Sequence, residues 1–261
     1  MTTIDLSNDV VLVTGGAGSI GAAVARALAS AGAEVIVGDL SRDAADRVAD
    51  MITSNGGRAR AMVIDVRSSE SVDGAVATLV RDGVALSGLV NAAGILRTGD
   101  LATMTDEAWA DIVDVNVTGT FRATRAVAAV LRPTGRGSIV NICSVSAFIG
   151  SADGAAYTST KGAVLSFTYG TAGELAPYGI RVNAVCPGWV DGGFTHQAME
   201  AAADPAALVD MARRLHPLGR MADPSDVANA VTWLMSPLAS YITGTPLFVD
   251  GGFMIQRGIR S

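Results

Sequence analysis

The sequence TGGAGSIG, residues 14–21, stands between a run of β-branched residues and a stretch whose apolar residues recur at helical spacing. Its pattern Gly16-x-Gly18-x-x-Gly21 is typical of the turn that joins a strand to a helix around a phosphate group. The first glycine permits the tight turn, the second lets the backbone approach the ligand, and the third allows close packing of helix on strand. The motif alone is a weak signal, because any glycine-rich turn can supply it. It predicts a βαβ unit with an anion site at the start of its first helix.

Short β-branched runs alternate with helical stretches along the rest of the chain. A parallel sheet with helices on both faces requires this alternation. We therefore predict one doubly wound α/β domain of the Rossmann type over residues 1–261, with Ser41 and Asp223 as helix N-caps. Seven strands are predicted, at residues 10–15, 34–39, 58–66, 88–94, 137–144, 180–188 and 245–250. Residues 189–217 are too long for an ordinary connection and are predicted to form a substrate lid.

The composition disfavours several classes of function. The chain has 19 basic and 25 acidic residues, a net charge of −6 and no run of Lys or Arg, so it lacks the basic footprint of a nucleic-acid-binding protein. No apolar stretch is long enough to span a bilayer and no signal peptide is recognisable, so we expect a cytoplasmic protein without a membrane segment. Cys143 and Cys186 lie in apolar runs without metal-ligand spacing, so we expect two buried free thiols and no metal site.

Asp39 ends the second predicted strand, eighteen residues after Gly21. At this place a carboxylate can accept hydrogen bonds from both hydroxyls of an adenosine ribose. A phosphate on the 2′-hydroxyl would bring like charges together, and residues 14–21 contain no Lys or Arg to neutralise it. The sequence therefore predicts NAD as the cofactor rather than NADP. The alternative for Asp39 is an N-cap of the following helix.

Tyr157 and Lys161 lie in a run of helical period, and their spacing puts phenol and ammonium on one helix face. A tyrosine hydroxyl is a poor base near neutral pH, but a cation beside it stabilises the phenolate. Ser144 lies thirteen residues before Tyr157, at a predicted strand end, where it can donate a hydrogen bond to a substrate oxygen. The isolated Tyr-Lys pair is common on exposed helices. Its conjunction with Ser144, Asp39 and the glycine turn predicts an oxidoreductase.

Over nearly its whole length the chain resembles the short-chain dehydrogenase/reductases of the shorter subfamily. The resemblance is carried by residues 14–21, Asp65, Asn-Ala-Ala-Gly at 91–94, Asn116, Ser144, Tyr157, Lys161, Pro187-Gly188 and Val-Asp-Gly-Gly at 249–252. It implies a catalytic tetrad, which consists of Asn116, Ser144, Tyr157 and Lys161. In such enzymes the lysine also holds the nicotinamide ribose, and the main chain of the asparagine holds a water of the proton path.

The resemblance also implies which residues hold the cofactor. Asp65 and Val66 would border the adenine, and residues 91–94 would steady the central strand beside it. The expected contacts are Gly15, Gly18, Ser19, Ile20, Gly21, Asp39, Leu40, Asp65, Val66, Asn91, Ala92, Gly94, Tyr157, Lys161, Pro187, Gly188, Val190 and Thr195.

The chain departs from the family pattern at two places. Ser19 stands where the shorter subfamily usually has a glycine. Gly192 and Gly193 stand where relatives commonly place a threonine that holds the nicotinamide carboxamide. Val190 would still supply backbone contacts, and whether Thr195 takes over the side-chain contact stays open at this stage. The glycine pair would also make a freer hinge for the lid.

By their position in the family, several mostly apolar residues are expected to line the substrate pocket. They are Ile95, Leu96, Ser146, Phe148, Ile149, Trp189, Phe194 and Met199, of which Ser146, Phe148, Trp189 and Phe194 are the principal candidates. So apolar a lining favours a small or medium-sized secondary alcohol or ketone as substrate. His196 and His216 belong to no motif and are assigned to surface or lid packing.

Two other functions share these motifs. A 3-ketoacyl reductase acting on a carrier protein or CoA is disfavoured, because such relatives tend to have an arginine where Gly173 precedes Glu174. A non-catalytic NAD-binding module is disfavoured because Ser144, Tyr157 and Lys161 are all present. The family's commonest assembly is a homotetramer, which would use the apolar residues 123–131, the helix after Tyr157 and the last strand.

Overall fold

A computed structural model describes residues 4–150 and 152–255, and the remaining ends of the predicted domain lie outside the described residues. Seven parallel strands form one sheet in the order β3-β2-β1-β4-β5-β6-β7. The strands are β1 Val10–Thr14, β2 Glu34–Asp39, β3 Arg58–Val63, β4 Gly88–Asn91, β5 Gly137–Ile142, β6 Ile180–Pro187 and β7 Pro246–Val249. The predicted doubly wound α/β fold is confirmed.

Helices connect the strands and cover both faces of the sheet. They are α1 Ser19–Ser30, α2 Arg42–Ser54, α3 Ser69–Arg81, α4 Asp106–Val113, α5 Gly119–Leu131, α6 Ala155–Leu175, α7 Phe194–Ala201, α8 Pro205–Leu215 and α9 Pro224–Met235. Both predicted N-caps are confirmed: the Ser41 side chain accepts from the N–H of Ala44, and Asp223 forms a reciprocal capping box with Asp226. Within the described part of the chain, none of these helices combines the length and the apolar character that a membrane span requires.

The core has two layers because successive strand residues point to opposite faces of the sheet. Val11 and Val13 of β1 pack with α1, α2 and α9, whereas Leu12 packs on the other face with α3, α5 and the end of α6. Parallel strands covered on both faces are nearly continuously apolar. This is why the strands are recognisable in the sequence.

Several predicted strands extend too far at their carboxyl ends. The runs 58–66, 88–94 and 137–144 end in the structure at Val63, Asn91 and Ile142. The residues beyond these points leave the sheet and turn towards the crevice above its carboxyl edge, where ligands bind in this architecture. Residues 189–217 contain two helices, α7 and α8, so the segment predicted as a lid has secondary structure of its own.

Candidate active site

The glycine turn lies at the carboxyl end of β1, next to β4, where the strand order reverses direction. Gly15 has φ +62°, and a Cβ there would lie 2.6 Å from the Cα of Ala93 after β4. A Cβ on Gly21 would collide with the carbonyl oxygen of Gly15. The positive φ therefore belongs to Gly15 rather than to Gly16, and Gly16 is needed for its close approach to Val37 of β2.

The N-terminus of α1 is open to an anion. Its N-cap, Gly18, provides no side-chain hydrogen bond, and the first turn has no acidic residue. The N–H groups of a first helical turn have no partner inside the helix, so they can bind a phosphate that approaches over the glycines. These features fit the pyrophosphate of a dinucleotide.

Asp39 lies at the end of β2 with its carboxylate held over the glycine turn. Oδ2 accepts from the N–H of Ala17 at 3.0 Å, and Oδ1 accepts from the N–H of Ser41 at 3.1 Å. Ser41 is the N-cap of α2, so the alternative cap role is not filled by Asp39. Within the described residues no Lys or Arg forms an ion pair with Asp39, and Leu40 beside it is exposed.

Asp65 lies after β3 and is bound by a neighbouring cation. Arg67 donates to its carboxylate from Nε at 3.1 Å, from Nη2 at 3.2 Å and from the backbone N–H at 2.9 Å. The side-chain hydrogen bond from Arg67 holds the pKa of Asp65 below its ordinary value, against partial burial. Val66 is buried against α5, next to Gly119. A negative charge therefore stays at this end of the sheet, compensated by Arg67.

Asn91 at the end of β4 turns its side chain into the protein. Its Nδ2 donates to Asn141 Oδ1 at 2.8 Å and to Thr124 Oγ1 at 3.0 Å, and Asn141 donates in turn to Thr168. This buried network joins β4 and β5 to helices α5 and α6. Asn91 thus acts on the site through the strand, while the backbone of residues 92–93 faces the glycine turn.

Ser144, Tyr157 and Lys161 all lie near the carboxyl end of β5. Ser144 follows the strand, and its Oγ accepts from the N–H of Ser146 at 3.0 Å. Lys161 is only 5% exposed. Its ammonium donates to the carbonyl of Ile142 at 2.9 Å and lies 5.5 Å from the centre of the Tyr157 ring. In the described part of the chain no carboxylate pairs with it, so its charge is directed at the tyrosine face.

Asn116 lies in a short π-helix, Asp114–Thr118, between α4 and α5. Its Oδ1 accepts from the N–H of Ile95 at 2.8 Å, and its Nδ2 donates to the carbonyl of Ile95 at 3.0 Å and to Thr160 Oγ1 at 3.1 Å. Its carbonyl accepts from the Thr120 hydroxyl at 2.8 Å. Asn116 therefore joins the loop after β4 to α6 at Thr160, the residue before Lys161. The helical period of the sequence does not reveal the π-helix, which is a frequent feature of functional sites.

Cys143 and Cys186 are both buried free thiols, as predicted. Cys143 Sγ lies 3.3 Å from the carbonyl oxygen of Lys161, in an apolar cluster with Val164 and Leu165 of α6. A hydrogen bond from Cys186, together with the nearby Lys161, lowers the pKa of Cys143 to about 7 against the effect of burial. Donation to Cys143, and then burial, raise the pKa of Cys186. The pair forms part of the support under the catalytic candidates.

The segment after Pro187 is held against Ala222. The N–H of Asp191 donates to the carbonyl of Ala222, and the N–H of Ala222 donates to the carbonyl of Trp189, both at 2.8 Å. This parallel pairing uses the groups on either side of Val190, so the N–H and C=O of Val190 point away from Ala222. Thr195 is buried in the first turn of α7. Backbone and side-chain groups for a carboxamide are thus both present.

One aromatic ring packs beside the tyrosine, and two others form a pair at β7. The Phe194 ring meets Tyr157 edge-on, with centroids 6.2 Å apart. The half-exposed ring of Phe148 lies 4.8 Å from that of Phe248 on β7. Phe248 was not predicted, although an aromatic residue on an edge strand is a signal that could have indicated it. Trp189 is partly buried at the start of the segment that pairs with Ala222.

The two histidines have different environments. His196 lies at the surface, with Nε2 2.8 Å from Asp191 Oδ1. His216 is fully buried, and both ring nitrogens form hydrogen bonds. Among the described residues, no group of His, Cys, Asp or Glu side chains could hold a metal ion.

A family model described as enoyl-(acyl carrier protein) reductase matches residues 15–254. Similar curated proteins include 2-(S)-hydroxypropyl-CoM dehydrogenase 3 of Xanthobacter autotrophicus, 38% identical over 95% of this chain and 97% of that protein. Cyclopentanol dehydrogenase of a Comamonas species is 38% identical over 95% of this chain and 98% of that protein. The 3-oxoacyl-[acyl-carrier-protein] reductase FabG of Vibrio cholerae is 36% identical over 95% and 98%.

Solved structures with the same fold carry either form of the cofactor. A gluconate 5-dehydrogenase from Burkholderia cenocepacia, in complex with NADP and tartrate, superposes with a TM-score of 0.91 at 32% identity and covers 97% of this chain and 98% of its own. An NAD⁺-bound xylitol dehydrogenase superposes with a TM-score of 0.90 at 32% identity and covers 95% and 99%. These relatives have in common a reaction at a carbon that bears a hydroxyl or carbonyl group.

Proposed function

Because the chain belongs to the short-chain dehydrogenase/reductase family and is an oxidoreductase of CH–OH groups, we propose that it oxidises or forms a small or medium-sized, mostly apolar secondary alcohol with NAD as cofactor. The observation that carries the proposal is the buried Lys161 ammonium beside the Tyr157 ring, at the end of the strand that Ser144 follows. In this arrangement the Tyr157 hydroxyl exchanges a proton with the substrate oxygen.

The other polar groups support that exchange. Ser144 lies at the end of β5 and donates a hydrogen bond to the substrate oxygen as charge develops on it. Asn116 is hydrogen-bonded to Thr160, so it fixes the helical turn that carries Lys161. When bound, the nicotinamide supplies the hydride acceptor or donor. The protein's part is to orient the substrate and to hold the proton at the Tyr157 oxygen.

The cofactor preference rests on Asp39. Its carboxylate is fixed by the N–H groups of Ala17 and Ser41, next to the glycine turn that fits the pyrophosphate. In this position it would accept from two ribose hydroxyls of NAD and repel a 2′-phosphate. Val190 would contact the carboxamide through its backbone, and Thr195 would replace the threonine of the family pattern.

The substrate preference rests on aromatic residues. Phe194 meets Tyr157 edge-on and Phe148 pairs with Phe248, and such rings offer no charged partner to a polar substrate. An apolar alcohol or ketone loses little on entering such a pocket, whereas a sugar acid would leave its charge unsatisfied. The hydroxypropyl-CoM and cyclopentanol dehydrogenases among the relatives act, by their names, on secondary alcohols.

The second candidate function is 3-ketoacyl reduction, which is favoured by the similarity to the FabG protein. Against it, Gly173 stands where such relatives tend to have arginine, and the neighbouring Glu174 accepts from Arg132 at 2.6 Å. Arg132 is thereby neutralised and also stacks on Tyr178. These contacts leave it a poor partner for an acidic carrier protein.

We also propose a homotetramer in the cytoplasm. Within the predicted contact stretch 123–131, Ala123, Val127 and Leu131 are buried in the core of the subunit itself. The large apolar side chains that α5 and α6 leave exposed are Phe121 and Tyr169. These two rings are the candidates for subunit contact. The two buried free thiols are compatible with a reducing compartment.

The test is a screen of secondary alcohols with NAD and of ketones with NADH, followed at the nicotinamide absorbance band. Acetoacetyl-CoA and short polyols serve as comparison substrates. We expect turnover of apolar secondary alcohols that exceeds turnover of both comparison classes. Preference for acetoacetyl-CoA would favour the ketoacyl reductase. Binding of NADH without turnover of any substrate would indicate a non-catalytic NAD-binding module.

A further inference from the structure

His216 is the C-cap of α8. Its side chain is buried, only 2% exposed, and makes two hydrogen bonds. Nδ1 lies 2.6 Å from the carbonyl oxygen of Ala212, and Nε2 lies 3.1 Å from the backbone nitrogen of Trp189. The Trp189 N–H can only donate, so Nε2 must accept and Nδ1 must carry the proton that is donated to Ala212. The two partners thus select one neutral tautomer.

The imidazole is packed where three parts of the site meet. A Cβ built on Gly188 would lie 2.6 Å from Nε2, so only glycine leaves room for the ring beside the turn after β6. Gly251, after β7, lies against the same ring, and the Phe253 ring is 5.3 Å away. The leucine after Pro217 donates from its N–H to the carbonyl of Gly251. His216 therefore joins α8 to the ends of β6 and β7.

The bond to Trp189 extends a short ladder. Ala222 binds the carbonyl of Trp189 and the N–H of Asp191, as described above. The N–H of Trp189 is the next group along that edge, and there the acceptor is the His216 ring instead of a backbone carbonyl. With this bond, three consecutive backbone groups on one edge are held. The N–H and C=O of Val190 lie on the opposite edge of the same strip, so their direction is fixed as well.

We propose that His216 is a positioning residue for nicotinamide binding: by accepting from the Trp189 N–H, it holds the Trp189–Asp191 strip so that Val190 faces the carboxamide. The proposal rests on the proposed function, because it requires a nicotinamide cofactor. It assigns a role to a residue that lies outside every motif of the sequence. His216 touches neither substrate nor cofactor and acts through the strip that it holds.

Two conservative variants separate the two hydrogen bonds. The amide of asparagine reaches the place of Nδ1, so His216→Asn keeps the bond to Ala212 and loses the one to Trp189. The amide oxygen of glutamine reaches the place of Nε2, so His216→Gln keeps an acceptor for Trp189 and loses the bond to Ala212. A purely structural role predicts similar effects for both.

The measurements are the dissociation constant of NADH from fluorescence titration, the KM for NAD, kcat, and the melting temperature without cofactor. We expect similar losses of melting temperature in His216→Asn and His216→Gln, but NADH binding weakened roughly tenfold or more in His216→Asn alone, because a buried N–H loses its acceptor. The KM for NAD should rise by the same factor while kcat changes less.

Equal NADH affinities in the two variants would overturn the positioning role while leaving the proposed function intact. Failure of the unmodified protein to bind NADH or NADPH would overturn the proposed function and this inference with it. If a variant does not fold, hydrogen exchange in the unmodified protein tests whether the Trp189 N–H is held by a hydrogen bond. The Trp189 amide should be protected before NADH is added, and rapid exchange there would contradict the proposal.

Discussion

Gly192 lies directly against Ser19, so the two departures from the family pattern are in contact with each other. A Cβ built on Gly192 would lie 3.2 Å from the Cβ of Ser19 and would collide with its hydroxyl, and the backbone at Gly192 has φ +147°. Ser19 begins α1, whereas Gly192 precedes α7. A side chain in the glycine turn and the missing side chain in the segment before α7 are therefore complementary.

This contact makes Gly192→Ala a destabilising change. We expect a loss of about 1–3 kcal/mol in the free energy of unfolding, because the new methyl group meets Ser19 and the backbone conformation is unfavourable for alanine. Urea denaturation measures the loss. Adding Ser19→Gly should restore only part of it, since that change relieves the collision and not the strain. Gly74→Ala, in an open position of α3, is the control and should be neutral or stabilising. An equally stable Gly192→Ala protein would contradict the packing described.

Tyr157→Phe tests the proton transfer. The ring still fills the site against Phe194, but the oxygen that exchanges the proton is gone. We expect kcat to fall by about 10²–10⁴-fold, as is typical of lost acid–base catalysis, while NADH binding hardly changes. Steady-state kinetics and fluorescence titration measure the two effects. Near-normal kcat in this variant would mean that the base lies elsewhere.

Asp39→Ala tests the cofactor preference. The unmodified enzyme should prefer NAD over NADP in kcat/KM, because the carboxylate is fixed where a 2′-phosphate would approach. The variant should narrow this gap, chiefly through weaker NAD binding. Equal or reversed preference in the unmodified enzyme would remove Asp39 from the cofactor site.

Asp223→Ala tests the cap of α9. The Asp223 side chain accepts from the N–H of Ser225 at 2.7 Å, and we expect its loss to cost about 0.5–2 kcal/mol of unfolding free energy. Hydrogen bonds from Ser225 lower the pKa of Asp223, and Arg220 lowers that of Asp226. A carboxyl group whose pKa is lowered in the folded protein stabilises the fold when the pH is above the ordinary pKa of that group. This stabilisation is lost as the pH falls. The cost should therefore shrink below about pH 4, and a pH-independent difference in urea denaturation would contradict this account.

The proposed assembly is tested by light scattering at micromolar concentration, where we expect the mass of four subunits. Replacing Phe121 and Tyr169 by serine should reduce that mass, since both rings are exposed on the isolated chain. Met51→Ser is the matched control, because it removes an exposed apolar side chain from α2, which packs on the opposite face of the sheet. This variant should keep the full mass. A monomer in the unmodified protein would refute the tetramer.

The sequence by itself predicted how strands and helices alternate along the chain and named the main groups of the candidate site. These features are local, because each can be recognised within a few residues. They include the strand and helix periods, caps such as Ser41 and Asp223, the glycine turn, and the spacing of Tyr157 and Lys161. The predicted strands were too long at the carboxyl edge, because an apolar run does not reveal where the backbone leaves its neighbour and turns towards the crevice.

Only the tertiary structure decided how distant segments meet. The Ser19–Gly192 contact joins residues far apart in the chain, and so do the bonds of Asn116 to Ile95 and Thr160. Phe248 reaches Phe148, and His216 reaches Trp189, only because the ends of neighbouring strands and the segment that contains α7 and α8 are packed together. Such contacts depend on the register of the whole sheet and on close packing between elements. Neither can be predicted from a short stretch of sequence.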